Sequence, residues 1–441
     1  MTLRLTVIGT GYLGAVHAAC MADLGFDVLA FDIDADRIAS LSSGVAPFFE
    51  PGLNDLLAKV LATGRLRFTT SVEEVAEFGD VHFMCVGTPQ KVGSNAADLR
   101  HVSAALDSLA PLLTRPALVV GKSTVPVGTA ALLAERLAEL APAGVDVELA
   151  WNPEFLREGF AITDTLSPDR LVIGVTSKRA EATLREVYAS LLSADVPIVV
   201  TDFATAELVK VAANAFLATK ISFINAMAEV CEAAGADVTV LAEAIGHDDR
   251  IGHRFLRAGL GFGGGCLPKD IRAFMARAGE LGVDEALMFL REVDAINLRR
   301  RDRTVDMARE LAGGSLQGVV VACLGASFKP NSDDVRDSPA LHVAASLQTE
   351  GATVRVYDPE AMANASRLFP TLLFAQSVDD SVGGADIVML LTEWNEFCAL
   401  TPDRLAPLVR SRHLVDARNV FDPAQWRAAG WTIRSLGRPS L

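Results

Sequence analysis

No two of the six cysteines (Cys20, Cys85, Cys231, Cys266, Cys323, Cys398) stand in a C-x-x-C pair, and no histidines fall at metal-ligand spacing. Neither a zinc site nor a disulfide framework is readable, and scattered thiols of this kind fit a reducing cytoplasm. Positive charge is also short. Forty Lys and Arg against 55 Asp and Glu leave a formal charge of -15, which excludes the broad basic face of a nucleic-acid binder. Any anionic ligand must then be held by a local cationic cluster. No apolar run is read as reaching spanning length, and glycine interrupts Met1–Ile8 before it could serve as a signal peptide, so the expectation is a cytoplasmic protein with no membrane attachment. What is present is apolar material, 50% of 441 residues, enough for two or three cores.

Leu3–Ile8 reads as a buried strand, Ala15–Leu24 as a helix and Asp27–Phe31 as a second strand, which makes a βαβ unit. Short apolar runs at Val81–Val86, Ala117–Val120, Val147–Trp151, Leu171–Val175 and Val196–Val200 alternate with helical patterns, as a parallel sheet with crossover helices requires. From Ala204 to Ala233 there is neither Pro nor Gly, and the helical pattern is far longer than a crossover needs. Such a helix joins domains, and either packs against a second copy or forms an intramolecular spine. Arg299-Arg300-Arg301-Asp302-Arg303 reads as a solvated helix face. Beyond the loop Ala312–Ser315, strands at Gly318–Leu324, Thr353–Tyr357, Ile387–Leu391 and Leu414–Val415 restore the alternation. This last part lacks a G-x-G-x-x-G, having only Gly325 after its first strand, so it either binds a nucleotide differently or serves as structure. The fold class is α/β: a Rossmann domain over 1–200, a central helical domain over 201–300, and a Rossmann-like domain over 301–441.

Gly9-Thr10-Gly11-Tyr12-Leu13-Gly14 follows the first strand and opens the first helix, the context a dinucleotide fingerprint needs. One glycine allows the turn, one lets backbone approach a pyrophosphate, and one lets helix and strand pack closely. Asp32, 18 residues after Gly14, ends the next strand and would accept hydrogen bonds from both adenosine ribose hydroxyls. It would repel a 2′-phosphate, which favours NAD over NADP. Arg37 complicates the choice, because a nearby guanidinium tolerates phosphate.

Gly261-Phe262-Gly263-Gly264-Gly265-Cys266, followed by Leu267-Pro268-Lys269-Asp270, sets one thiol beside a glycine loop, a lysine and a carboxylate. A redox cofactor with a nucleophilic cysteine points to an oxidation through a thioester; the other five cysteines read as small hydrophobes. Lys210 and Asn214, four apart, would share a helix face and donate to an oxyanion, or else form a surface pair. Asn152–Gly159 follows a strand and supplies Glu154 as a candidate general base, with Glu158 a second candidate or a solvated loop charge. Arg250, Arg254 and Arg257 would align toward an anion if their segment is helical, and Phe328-Lys329 with Arg336 adds further cations.

Together with Glu50-Pro51-Gly52-Leu53, Val86-Gly87-Thr88-Pro89, Ser123–Thr129 and Phe328-Lys329-Pro330, these motifs resemble, across nearly the whole chain, the UDP-glucose/GDP-mannose dehydrogenase family of nucleotide-sugar 6-dehydrogenases. The resemblance implies an N-terminal NAD domain, a dimerising helical middle and a C-terminal domain for the uridine nucleotide. It implies oxidation of UDP-glucose to UDP-glucuronate with two NAD reduced per sugar, by a homodimer or a hexamer. Cys266 would carry the sugar carbon, Lys210 and Asn214 would steady oxyanions, and Glu154, Thr124 and Asp270 would manage protons and water. Tyr12, Leu13, Thr88, Thr124, Glu158, Lys269 and Arg336 would join the glycines, Asp32 and Arg37 at NAD. Glu154, Phe155, Leu156, Arg157, Lys210, Asn214, Arg250, Arg257, Phe262, Gly263, Phe328 and Lys329 would line the sugar-nucleotide site. Arg250–Ala258 resembles the UDP-glucose branch, where Arg250 would reach a neighbouring subunit's nucleotide. Gly265 stands where serine is usual, which adds loop freedom, and Arg257 where lysine is common. GDP-mannose and UDP-N-acetylhexosamine are the rival substrates; a two-electron hydroxyacid dehydrogenase and a catalytically retired sugar sensor are the rival classes.

Overall fold

The computed structural model describes residues 3–439, which divide into two compact units, one running up to Ala213 and taking in Arg272–Gly282, the other Asn214–Ile271 with the described residues from Val283 onward.

The first unit is built on eight strands: β1 Arg4–Ile8, β2 Asp27–Phe31, β3 Leu66–Thr69, β4 Val81–Met84, β5 Ala117–Gly121, β6 Val147–Trp151, β7 Leu171–Gly174 and β8 Ile198–Thr201. Their order is β3-β2-β1-β4-β5-β6-β7-β8. The central strands are continuous apolar runs because both faces are covered by helices: Leu5, Val7, Phe83 and Val120 are buried in one layer, Met84, Val119 and Leu149 in another. The expectation of a wholly parallel sheet fails at one place. β6 meets β7 antiparallel, through the single pair Trp151↔Gly174, because the link between them carries only the short helix Ala161–Leu166 and the chain re-enters the sheet running the other way. All other neighbouring pairs, β7 with β8 included, are parallel.

The second unit holds six further strands, β9 Val320–Leu324, β10 Thr353–Tyr357, β11 Leu373–Phe374, β12 Ile387–Leu390, β13 His413–Asp416 and β14 Thr432–Ser435, in the order β11-β10-β9-β12-β13-β14, all parallel. This repeats the arrangement of the first six strands of the other unit. It also contains the helices Val238–Gly246 and Phe289–Leu311.

The helix Phe203–Ala234 runs 32 residues, beginning in the first unit and ending in the second. It corrects the reading that no run reaches spanning length: an 18-residue window has mean hydropathy 1.3, enough by length and composition alone. Part of that length is used inside the protein, where buried Ser222 donates to the Val293 carbonyl (2.7 Å) and buried Asn225 accepts from the Gly259 amide (2.9 Å).

The arginine run is also corrected. Arg299 faces solvent, but the side chains of Arg300 and Arg301 are only 1% and 2% exposed. They lie on the stripe that also buries Leu290, Val293, Asn297, Val305 and Ala308, so helical period decides their fate over charge. Each is compensated: Arg300 meets Glu232 at 2.7 Å and Arg301 meets Asp337 at 2.9 Å.

Candidate active site

In the first unit, β1 runs into Gly9, whose φ of +90° only glycine adopts without strain. A side chain at Gly14 would collide with the Gly9 carbonyl, so this glycine lets the helix Tyr12–Asp23 sit against the turn. At Gly11 an added Cβ would meet no protein atom within 4 Å. That open side faces the start of a helix, where unsatisfied amides suit a phosphate. Each glycine thus has the use a dinucleotide cradle demands.

Asp32, buried at the end of β2, has one carboxylate oxygen taken by the Thr10 amide (2.8 Å), the Thr10 hydroxyl (3.1 Å) and Arg37 (2.9 Å), and the other by the Asp34 amide (3.1 Å). Burial alone would raise its pKa, but these donors outweigh it and hold the carboxyl below its ordinary value. Arg37 spends its charge on Asp32 and on Asp34 (3.6 Å). This neutralises the one cation that argued for NADP.

Tyr12 donates its hydroxyl to Glu50, which sequence reasoning left among motifs without a role. Glu50 also accepts the amides of Gly159 (2.6 Å) and Ala161 (2.7 Å), so a buried carboxylate ties the fingerprint helix to the end of the Asn152–Gly159 loop. Burial and Glu50 together push the Tyr12 hydroxyl well up. The other end of that loop rests on a cation the sequence did not single out: Lys122, buried, donates to the Asn152 side-chain oxygen (2.9 Å), which also takes the Tyr188 hydroxyl (2.6 Å). Burial lowers Lys122 from the usual lysine value. Between these anchors Glu154 meets Lys210 at 3.0 Å, and the Lys210 ammonium lies 5.5 Å from the Phe155 ring centroid. Thr88 donates to the Thr124 carbonyl (2.7 Å). Arg157 is turned to Asp164 through two guanidinium bonds (2.9 and 2.7 Å).

In the second unit the glycine loop is clamped from behind. Asn297 accepts from the Phe262 amide (2.7 Å) and donates to its carbonyl (2.9 Å), as a neighbouring strand would. Arg301 and Arg418 each donate at 3.3 Å to the Phe262 and Gly261 carbonyls, and the Gly264 amide donates to the Arg336 carbonyl (2.9 Å). A side chain at Gly263 would run into the Asp337 carbonyl and Pro339, and one at Gly264 into the Phe328 ring. At Gly265 the space a side chain would need is filled by the Arg336 guanidinium, so the use of this glycine is room for a cation, where loop freedom was expected. Arg336 is itself held by Asp334 (2.6 Å), and Lys329 lies 5.4 Å from the Phe328 ring centroid.

Cys266 is exposed at the end of this loop, and its carbonyl accepts the Asp270 amide (2.9 Å), the first bond of the helix Leu267–Glu280. Buried Asp270 accepts from Asn214 (2.7 Å) and Lys269 (2.6 Å). Lys210 and Asn214 are therefore no surface pair. Both are buried, one turn apart, and each is joined to a carboxylate, Lys210 to Glu154 and Asn214 to Asp270. Of the remaining cysteines, Cys20, Cys85 and Cys323 are buried with thiols pushed up to about 12 by burial; Cys231 is buried and Cys398 half-buried.

The arginine stripe does not form. The helix Val238–Gly246 ends before Arg250, and Gly252 (φ +70°) and Phe255 (φ +65°) take left-handed backbone that breaks any helical spacing. Arg250 folds onto Asp248 (2.7 Å), and Arg254 and Arg257 are exposed on the turns beyond it.

Three family models match in order: the NAD binding domain of the UDP-glucose/GDP-mannose dehydrogenase family over residues 3–192, its central domain over 204–299 and its UDP binding domain over 322–423. A UDP-glucose 6-dehydrogenase of Rhizobium meliloti (strain 1021) is 44% identical over 439 residues, 99% of this chain and 100% of the relative. A UDP-glucose dehydrogenase structure from Pyrobaculum islandicum superposes with TM-score 0.90 at 38% identity over 96% of each chain. A UDP-D-ManNAc dehydrogenase from Pyrococcus horikoshii gives TM-score 0.87 at 28% identity over 100% of each. With its glycine cradle, its clamped thiol loop and all three domain models in register, the chain belongs to the UDP-glucose/GDP-mannose dehydrogenase family.

Proposed function

We propose that the protein oxidises C6 of UDP-glucose to the carboxylate of UDP-glucuronate, with Cys266 carrying the sugar carbon between two oxidations. NAD, held by Gly9, Gly11, Gly14 and Asp32, supplies the hydride acceptor when bound. The first oxidation removes a proton and a hydride from the C6 alcohol to give an aldehyde. The Cys266 sulfur adds to that carbon as a thiolate, forming a thiohemiacetal whose oxyanion suits the Lys210 and Asn214 donors. Loss of the second hydride leaves a thioester. Water then attacks the acyl carbon, the C–S bond breaks, and the thiol and carboxylate separate. In sum, one alcohol, one water and two NAD⁺ give one carboxylate, two NADH and three protons.

The observation that carries this reading is the exposed Cys266 at the start of the helix Leu267–Glu280, where partial positive charge favours a thiolate. Four residues on, Asp270 is buried against two donors, and in this reading it holds a water or a proton. Glu154, paired with Lys210, is the second group able to move a proton; pairing the oxyanion donors with these carboxylates keeps each charge compensated until substrate arrives. Thr88, Thr124, Glu158, Lys269 and Arg336 are proposed at NAD, and Phe155, Leu156, Phe262, Gly263, Phe328 and Lys329 at the sugar nucleotide. For Arg157 and Arg250 to join them, each must exchange its present carboxylate.

UDP-glucose is favoured over GDP-mannose and UDP-N-acetylhexosamines because relatives named for it are 38–44% identical over 99% or more of this chain. A homodimer is favoured by the apolar stripe Phe216, Phe223 and Val230, seven residues apart on the long helix and 67%, 49% and 58% exposed. A cytoplasmic setting is favoured by six cysteines with no disulfide. The test is NADH released per UDP-glucose consumed, run beside GDP-mannose and UDP-N-acetylmannosamine. Two per UDP-glucose supports the reading, and one reduces the protein to an alcohol dehydrogenase.

A further inference from the structure

We infer that Glu243, His247 and His253 form a binding site for a divalent transition-metal ion of the zinc class, apart from the dehydrogenase chemistry. One ligand atom from each lies within 4.8 Å of the others. His247 Nε2 stands 3.3 Å from one Glu243 oxygen, and His253 Nδ1 stands 3.6 Å from the other. Zinc bonds of about 2.0–2.1 Å in a tetrahedron put neighbouring ligand atoms roughly 3.3 Å apart, so each imidazole already stands near that separation from one oxygen of the carboxylate. Two imidazoles and one carboxylate are the donor set that zinc, cobalt and nickel prefer over calcium or magnesium.

Local structure holds these side chains together in ways that sequence spacing does not reveal. Glu243 and His247 are four apart, one in the last turn of the helix Val238–Gly246 and the other at its C-cap. The third ligand arrives only because the chain reverses at Gly252 (φ +70°). His253 then seats its ring in the notch left by Gly246, where any side chain would collide with it, and packs edge-on to His247 with centroids 4.9 Å apart. Lys220 secures the reversal from the long helix by donating to the Ile251 carbonyl (2.8 Å). A helix C-terminus carries partial negative charge, which favours a cation at this end. All three side chains are exposed, so water would complete the coordination and the ion would exchange with solvent.

A protonated imidazole paired with Glu243 would give similar distances, and one experiment separates the two. Zn²⁺ is titrated calorimetrically into the full chain carrying Cys266→Ala, which removes the exposed thiol as a competing ligand. Binding of one Zn²⁺ per chain is expected, with a raised unfolding midpoint. In that background His247→Ala, His253→Gln and Glu243→Gln should each weaken Zn²⁺ binding about tenfold or more, while the midpoint without metal stays put because the residues are exposed. Absence of stoichiometric binding, or variants that bind Zn²⁺ like the parent, overturns the site. Midpoints that drop without metal and ignore Zn²⁺ assign the cluster to an ion pair and overturn it equally.

Discussion

The two sheets share the order of six parallel strands, yet their corresponding edges do opposite things with the same chemistry. In each unit the first strand ends in a turn whose donors reach an aspartate at the end of the second strand. Asp32 follows β2 and receives Thr10, Arg37 and one further amide. Asp358 follows β10 and is fully buried, receiving the amides of Ala326 (2.8 Å) and Ser327 (2.9 Å), the Ser327 hydroxyl (2.9 Å), the Trp394 ring nitrogen (3.1 Å) and the amides of Glu360 (3.1 Å) and Ala361 (3.0 Å). Its capacity is spent inside the protein. The glycines part in the same way: Gly11 borders open space, whereas a side chain at Gly325 would strike Thr392. A shared topology thus supports an open dinucleotide cradle on one sheet and a closed first turn on the other, which lies in the region matched as a UDP binding domain, and the difference lies in a few side chains.

The largest effect expected tests the division of labour. Cys266→Ala should lower UDP-glucuronate formation by about four orders of magnitude or more while NAD affinity, read by fluorescence titration, is unchanged. Turnover near that of the parent would remove the covalent route. Next come the two aspartates. Asp358→Ala leaves several buried donors unmet and should cost on the order of 3 kcal/mol or more in urea unfolding. Asp32→Ala should instead weaken NAD by roughly ten- to a hundredfold and relax discrimination against NADP. Equal stability losses with unchanged NAD binding would erase the contrast.

The glycines give a smaller version. Gly325→Ala, at φ +119° and against Thr392, should cost about 1–3 kcal/mol of stability, whereas Gly11→Ala, at φ -64°, should leave stability within about 0.5 kcal/mol and weaken NAD binding. The smallest effect is in acid. Because the Asp32 pKa is lowered on folding, its contribution to stability is complete above the ordinary carboxylate value of 3.8 and fades as pH falls through the lowered one. NAD affinity should hold from pH 8 to about pH 5 so far as Asp32 controls it. A loss centred near pH 6 would assign control to another group. In alkylation at pH 8, Cys20, Cys85 and Cys323, pushed up to about 12, should stay unlabelled while Cys266 reacts.

Much of this was legible because parallel strands buried on both faces read as plain apolar runs; β2, β6 and β10 lie where those runs were drawn. β3, β11 and β14 escaped notice. They are short edge strands, and Leu66-Arg67-Phe68-Thr69 and Thr432-Ile433-Arg434-Ser435 interleave polar residues that mimic loop. The glycine cradle and the thiol loop declared themselves through spacing. The supports behind them did not, since Asn297, Arg301 and Lys122 are polar groups serving buried positions. For Asn297 and Arg301 a signal existed: they fall on the period that buries Leu290, Val293 and Ala308. The pairing of Lys210 with Glu154 joins residues 56 apart in the chain and has no local signature.

Mass spectrometry of protein quenched in acid during turnover probes the proposed bond between the sugar carbon and one sulfur, which would exist only between the two oxidations. A UDP-hexose adduct is expected, confined to the peptide bearing Cys266 and absent from Cys266→Ala. An unmodified Cys266 peptide at every time of quench, with UDP-glucuronate still accumulating, would contradict it.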